Sequence, residues 1–312
     1  MSYFCLGLLY TLKCTSKCKI CAFSCSPKRE EKMRYEDALR YINEAKEAGF
    51  KVVGIAGGEP FLYREEIFKL CEHATNRGLK VTLTTNCFWA HSRESTFELM
   101  SKLKGIGVNR FKISCDEFHN ESIPYENIKN VFRVSRELDM SVLVGCTTLK
   151  TSKRLKDILE NLQDENLGVD FAEYACLPVG RAAEEFKKDE FLCTSVIPKS
   201  CREKGVLSII PNGTVYPCGD MCGMIKNREV GSALDKPLKY LIEKAENNTH
   251  NKFLSNHGIT PYYDYIKNHK VNININTEFV DACHACYELF NNSNNTEILN
   301  NIVTELDKQY KL

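Results

Sequence analysis

Between residues 6 and 175 the chain alternates short apolar runs with stretches whose apolar residues recur at helical spacing. LGLLYTL, KVVGIAG, KVTLTTN, RFKIS, SVLVGC and VDFAEYA read as strands. Between them, Ala38, Leu39, Ile42 and Ala45 share one helix face, as do Ile67, Leu70, Cys71 and Ala74. The same spacing links Ile128, Val131, Phe132 and Leu138, and then Leu155, Ile158, Leu159 and Leu162. Gly49 and Gly78 stand where helix C-caps belong, just before the next strand. Six βα units of this kind imply a parallel sheet, because parallel neighbours need a long crossover. Such sheets place their chemistry at the C-terminal ends of the strands.

Those ends carry the unusual residues. Strand one runs into Cys14, strand two into Gly57-Gly58-Glu59-Pro60, and strand three ends at Asn86. Strand four ends at SCDEFH, with Ser114, Asp116 and His119, and strand six runs into PVGRA, which carries Arg181. After residue 190 the pattern changes. GVLSIIPNGTVYPC reads as a β-hairpin turning at Pro211-Asn212-Gly213. A segment rich in Asn, Lys and Tyr follows from about 245 to 278, then CHAC and an amphipathic helix near 296 to 309. Two parts are expected, 1–190 and 191–312.

Composition narrows the function. The 42 basic and 41 acidic residues nearly cancel, which argues against a nucleic-acid footprint or a polybasic membrane anchor. MSYFCLGLLY has no basic leading segment, and no apolar run approaches the ~18 residues of a spanning helix. The expectation is a cytoplasmic protein without nucleic-acid or membrane partners. The chain begins just before strand one, so a substrate is expected to dock on one of these two parts rather than on a preceding recognition domain. The Asn-x-Thr/Ser matches read as chance.

Sixteen cysteines do not fit that plain picture. Disulfides are disfavoured in a reducing compartment, and a chain of this length has core enough without them. Cys115, Cys146 and Cys176 lie in or at the ends of apolar runs and Cys71 on a helix face, and all four read as small core hydrophobes. Cys14, Cys18 and Cys21, and the later group around Cys201, Cys218, Cys222, Cys283 and Cys286, lie in loop-like sequence and read as metal ligands. A closed zinc site takes four ligands. Three thiolates on a four-iron cubane would leave one iron open, unless Cys25 closes the site as a fourth.

The C-x3-C-x2-C spacing after strand one, with GGEP after strand two, resembles the radical S-adenosylmethionine (SAM) superfamily. The resemblance implies a partial (β/α)6 barrel with a [4Fe–4S] cluster on Cys14, Cys18 and Cys21, whose open iron chelates SAM. One electron, from a donor such as flavodoxin or ferredoxin, then cleaves SAM to a 5′-deoxyadenosyl radical that abstracts hydrogen. It further implies that Gly57 and Gly58 bring backbone carbonyls to the SAM ammonium, with Glu59 fixing the turn. Asn86, Ser114 and Asp116 would read the methionine and ribose hydroxyls, and Arg181 would pair with the SAM carboxylate. His119 falls outside this set.

The C-terminal part resembles the twitch extension, a shortened SPASM domain. That implies a second, fully protein-ligated [4Fe–4S] cluster on Cys201, Cys218, Cys283 and Cys286, with Gly213 in the hairpin and Cys193 and Cys222 left over. A four-thiolate zinc site is the alternative. CAFSCSP, TTNCFWAHS, ISCDEFH and CHACYELFN resemble the epipeptide-type peptide epimerases. These act on ribosomally made precursor peptides, abstract a Cα hydrogen from an L-residue and return one from a cysteine thiol on the opposite face. In that family the donor directly follows the hairpin cluster cysteine. Here Gly219 holds that position, and Cys222 is the candidate donor. Peptide crosslinking, alcohol dehydrogenation and a non-catalytic cysteine-rich zinc scaffold stay open as alternatives.

Overall fold

The computed structural model describes residues 3–108, 110–162, 168–197, 201 and 204–310. The six expected strands form as β1 (Cys5–Thr11), β2 (Val52–Gly57), β3 (Lys80–Thr85), β4 (Arg110–Ser114), β5 (Ser141–Thr148) and β6 (Asp170–Ala175). Each pairs in parallel with its sequence neighbour. The crossovers carry α1 (Tyr35–Glu47), α2 (Arg64–Asn76), α3 (Arg93–Ile106), α4 (Glu117–Asn120), α5 (Tyr125–Glu137) and α6 (Leu155–Leu162), and α7 (Arg181–Glu185) follows β6. The strands alternate: on β4, Phe111 and Ile113 are buried while Arg110 and Lys112 are exposed. Helix α1 buries Ala38, Tyr41, Ile42 and Ala45. Helix α3 was not anticipated from the sequence. Ser92 starts it by accepting from the Ser95 backbone N–H, and Thr96, Leu99, Met100 and Leu103 form its buried face.

The hairpin strands β7 (Val206–Ile209) and β8 (Thr214–Tyr216) form as expected, at the edge of the sheet beside β1. Strand β7 pairs in parallel with β1, β8 turns back antiparallel, and β9 (Gly231–Ser232) completes the order β6-β5-β4-β3-β2-β1-β7-β8-β9. The physical reason is that β1 needs a partner for its outer row of backbone groups. The apolar residues of β7, Leu207 and Ile209, are buried in the process.

The Asn-rich stretch is helical as well: α8 (Leu238–Asn247), α9 (Thr249–His257) and α10 (Thr260–Asn268) precede α11 (Ala282–Phe290) and α12 (Thr296–Tyr310). One large core runs from the parallel sheet through β7, β8 and α8, and a second is built by α9 to α12 around Tyr262, Phe279, Leu289 and Ile302. The segment after residue 190 thus contributes to both cores. Among the described residues no helix is long and apolar enough to cross a membrane.

Candidate functional site

The loop after β1 folds Cys14, Cys18 and Cys21 around one cleft at the C-terminal ends of the strands. Gly57, Gly58, Asn86, Ser114, His119 and Thr147 line the same cleft, which encloses about 720 Å³. Cys14 and Cys18 are buried and Cys21 is half-buried. Burial pushes the Cys14 thiol up to about 11 and the Cys18 thiol up to about 12. Thiols so placed give up their protons to a cation that takes over the sulfurs, which is the chemistry of metal ligation. Cys21 is different. The Cys25 side chain hydrogen-bonds to its sulfur and the Cys25 N–H also points at it, at 3.3 Å, so Cys21 moves down while Cys25 holds its own proton. Cys25 therefore stands behind Cys21 as a hydrogen-bond donor.

The GGEP turn closes against this loop. Gly58 N–H donates to Thr11 O at 2.7 Å and Glu59 N–H to Lys13 O at 2.8 Å. A Cβ at Gly58 would lie 2.1 Å from Lys13 O, and one at Gly57 would lie 2.6 Å from Thr11 O. The glycines are thus required for the approach of two protein backbones, in addition to any role toward a ligand. Glu59, expected to fix the turn beside the cofactor-binding glycines, does not line the cleft. It is fully buried and accepts from Phe61 N–H, Thr85 Oγ1 and Asn86 N–H at 2.8 to 3.0 Å. It fixes the end of β3, and through it Asn86, whose Nδ2 donates to Thr15 Oγ1 at 3.0 Å and lies 3.7 Å from Cys14 Sγ.

Burial raises the Glu59 carboxyl from 4.5 to about 7 against the pull of those donors. A raised carboxyl favours the protonated folded state, so its contribution is full below pH 4.5 and is lost as pH rises through about 7. Glu59→Gln should be less stable than the parent at low pH, because its amide turns a donor toward another donor. The gap should narrow by about 3 kcal/mol across that window. Urea unfolding of both proteins at several pH values measures it, and a constant gap would refute the shift.

Two further expectations are corrected. Asp116 is wholly buried and does not line the cleft. Its carboxylate caps α4 by accepting from Phe118 and His119 N–H, accepts from Thr147 N–H at 3.2 Å, and holds His119 Nδ1 at 2.8 and 2.9 Å. His119, set aside in the sequence, is the residue that reaches the cleft wall. Burial lowers its pKa, but the Asp116 charge and hydrogen bond outweigh that and raise it. The Asp-x-x-His spacing at a strand end was the signal that could have found the pair. Arg181 does not present itself to a carboxylate either. Its Nη1 donates to Cys18 O at 2.7 Å and its Nη2 to Cys25 O at 2.6 Å, so it clamps the cysteine loop from below. Gly180, at φ +57°, lets that clamp close: a Cβ there would lie 2.0 Å from Ala22 O.

A second cleft of about 970 Å³ adjoins the first, sharing Ile20, Ala22 and Thr147, and is lined by Lys112, Tyr174, Cys176 and Asp220. Lys112 Nζ sits 5.1 Å from the centroid of the Tyr174 ring.

The later cysteines gather apart from both, around a pocket of about 600 Å³ lined by Cys201, Cys218, Cys222, Cys283 and Cys286. Cys283 and Cys286 are three residues apart on α11 and share a face. Cys201 is exposed; its neighbours 198–200 and 202–203 lie outside the described residues. A Cβ at Gly223 would lie 2.4 Å from Cys218 Sγ, so only glycine fits beside that sulfur. Cys222, the candidate donor, lies buried on the wall of this pocket, where Asp220 accepts its N–H at 2.8 Å and caps a tight turn over Met221–Gly223. Cys193 lines none of these cavities and packs beside Cys176 and Phe191. Among the described residues no three His, Cys, Asp or Glu side chains converge closely enough to hold a single metal ion.

A family model described as Radical SAM superfamily matches residues 8–169. "Putative peptide biosynthesis protein YydG" of Bacillus subtilis (strain 168) is 26% identical over 307 residues, covering 96% of this chain and 94% of the relative. GTP 3′,8-cyclase of Aliarcobacter butzleri is 26% identical over 183 residues, and the match spans 54% of each chain, about half the length of that relative. Among solved structures, native anSMEcpe with bound AdoMet superposes with a TM-score of 0.54 at 16% identity, over 80% of this chain and 82% of the other. At that identity the likeness is one of fold.

Proposed function

This chain belongs to the radical SAM superfamily, and we propose that it modifies a ribosomally made precursor peptide by hydrogen abstraction at Cα, with L-to-D epimerisation as the outcome. Membership implies SAM and a [4Fe–4S] cluster. Cys14, Cys18 and Cys21 are the residues that would hold the cluster, with Gly57, Gly58, Asn86, Ser114 and His119 lining the space for SAM. When bound, the pair supplies a one-electron route to a hydrogen-abstracting radical, fed by a donor of flavodoxin or ferredoxin type. The chain's own part is to hold three sulfurs on a loop clamped by Arg181 and to leave open the adjoining Lys112–Tyr174 cleft, where a peptide segment would lie.

The observation that carries the peptide reading is the end-to-end match to a protein named for peptide biosynthesis, which extends through the C-terminal cysteines. For those cysteines we propose a second [4Fe–4S] cluster on Cys201, Cys218, Cys283 and Cys286, fully ligated and so confined to electron transfer or positioning. A variant with alanine at Cys14, Cys18 and Cys21 should retain about four irons per chain. Iron near zero by chemical analysis would remove the second cluster.

One observation favours a second outcome on the same peptide. Gly219 stands beside Cys218 and Cys222 is buried behind the cleft wall rather than on it, so an oxidative crosslink, which needs no returning thiol hydrogen, is the runner-up. Incubation with SAM, a reductant and a candidate precursor peptide in deuterated water separates the readings. Epimerisation leaves the covalent formula unchanged and adds one deuterium at Cα. A crosslink removes two hydrogens. Neither change on any encoded peptide, with SAM turned over, would refute both.

A further inference from the structure

The pocket of the C-terminal cysteines also holds a positive charge that no motif announced. Arg228, at the end of a short turn over Lys226–Arg228, is half-buried and lines this pocket. Its Nη1 donates to Cys286 Sγ at 3.1 Å and its Nη2 to Asn251 Oδ1 at 2.8 Å. The guanidinium carbon lies 5.2 Å from the centroid of the Phe290 ring. Asn251 is itself held: its Nδ2 donates to Ala245 O at 3.0 Å, which turns Oδ1 toward the arginine. Helices α9 and α11 therefore converge on one guanidinium.

Among the described residues no carboxylate forms an ion pair with it; the groups against it are the Cys286 and Cys218 sulfurs. Asp220 lies near the same sulfurs, pushing Cys218, Cys286 and Cys222 up, and Asp281 bears on Cys222. A cation drawn out of water without an anion is costly, and a fixed cation against sulfur marks the place where negative charge is meant to reside. Lys204, the other cation among the described residues of the pocket wall, is exposed and screened by solvent.

We propose that Arg228 is the positioning residue of an anionic iron–sulfur centre in this pocket, holding the Cys286 sulfur and stabilising the reduced state by its fixed charge. The proposal rests on the reading of the C-terminal cysteines as a second cluster. A [4Fe–4S] centre on four thiolates gains one negative charge when it takes up one electron. A cation in contact with a ligand sulfur stabilises that added charge more than the oxidised state. Hydrogen bonds to the sulfurs and nearby charge are among the levers that set such potentials.

The test uses the full chain with alanine at Cys14, Cys18 and Cys21, reconstituted with iron and sulfide and titrated by EPR-monitored reduction. Arg228→Gln should keep about four irons yet require a lower potential. The reduced-to-oxidised ratio at a given potential should fall at least tenfold, about 59 mV for a one-electron couple. Arg228→Lys keeps the charge without the forked donors and should shift less than half as far. Lys204→Gln should not shift. An Arg228→Gln potential equal to the parent's, equal shifts in the Gln and Lys variants, or an equal shift in Lys204→Gln would each overturn the proposal. Should Arg228→Gln fail to assemble the centre, Arg228→Lys must assemble it, and a lysine variant without iron overturns the charge argument too. A parent lacking iron before residue 228 is changed overturns the second cluster itself, and Arg228's role with it, so the two failures are told apart.

Discussion

Alanine at Cys14, Cys18 or Cys21 should abolish 5′-deoxyadenosine formation, whereas alanine at Cys25 should reduce it about tenfold and leave the cluster in place. The contrast follows from where the four sulfurs stand. Three line the cleft from a loop whose carbonyls at Cys18 and Cys25 are pinned by Arg181, so none of the three has a neighbour able to replace it without moving that clamp. Cys25 also lines the cleft, but its side chain is hydrogen-bonded to Cys21, where a proton held on Cys25 stabilises negative charge on its partner. Losing one hydrogen bond to a charged acceptor costs about 1.5 to 3 kcal/mol, enough for a tenfold loss and not for abolition. Iron content and 5′-deoxyadenosine yield, measured side by side for the four variants, decide it. A Cys25→Ala protein with the iron of only one cluster would make Cys25 a fourth ligand and close the site to SAM.

Much of the parallel sheet was legible because its strands are buried and its helices are two-faced, so the hydrophobic pattern reports both. Leu83, Phe111, Ile113 and Val144 are wholly buried at positions that alternate with more exposed ones. What stayed hidden depended on contacts distant in sequence or on side-chain direction. The pairing of Cys5–Leu8 with Val206–Ile209 joins segments some two hundred residues apart, and no local pattern encodes it. Helices α8 to α10 were obscured by Asn and Lys, although Leu238, Leu241 and Ala245, then Phe253 and Leu254, then Tyr262 and Ile266, are buried at helical spacing. In the site, the strand ends named the right neighbourhood, but Arg181, Asp116 and Glu59 turn inward to hold backbone. A motif gives a position; only the fold gives a side chain its direction. Arg228 belongs to no motif and became visible only through what surrounds it.

Cys222→Ala should leave 5′-deoxyadenosine formation intact while abolishing deuterium incorporation at the epimerised Cα. Abstraction leaves a planar carbon, and the product is decided by which face receives a hydrogen atom. A thiol donates readily, the hydrogen passes from sulfur to carbon, and the thiyl left behind takes an electron and a proton to reset. Cys176 and Cys222 both lie near the proposed peptide cleft. Cys176 is on its wall but buried, packed among Ile20, Leu149 and Phe191 at the end of β6. Cys222 lies behind the wall, in an apolar cluster with Val179 and Cys283 against which Ala22 and Leu177 of the two clefts pack. Asp220, two residues earlier, lines the cleft itself, so this turn spans from the cleft to the cysteine pocket. That arrangement sets Cys222 one side-chain layer behind the proposed peptide cleft and beside the pocket of the proposed second centre, which would re-reduce it, a combination Cys176 lacks. Burial pushes the Cys222 thiol up, which keeps the transferable hydrogen on sulfur. Cys176→Ala should behave as the parent in both readouts. Loss of the D-residue in Cys176→Ala with normal product from Cys222→Ala would transfer the role to β6. Normal product from both would exclude these two thiols as donors and favour the oxidative outcome.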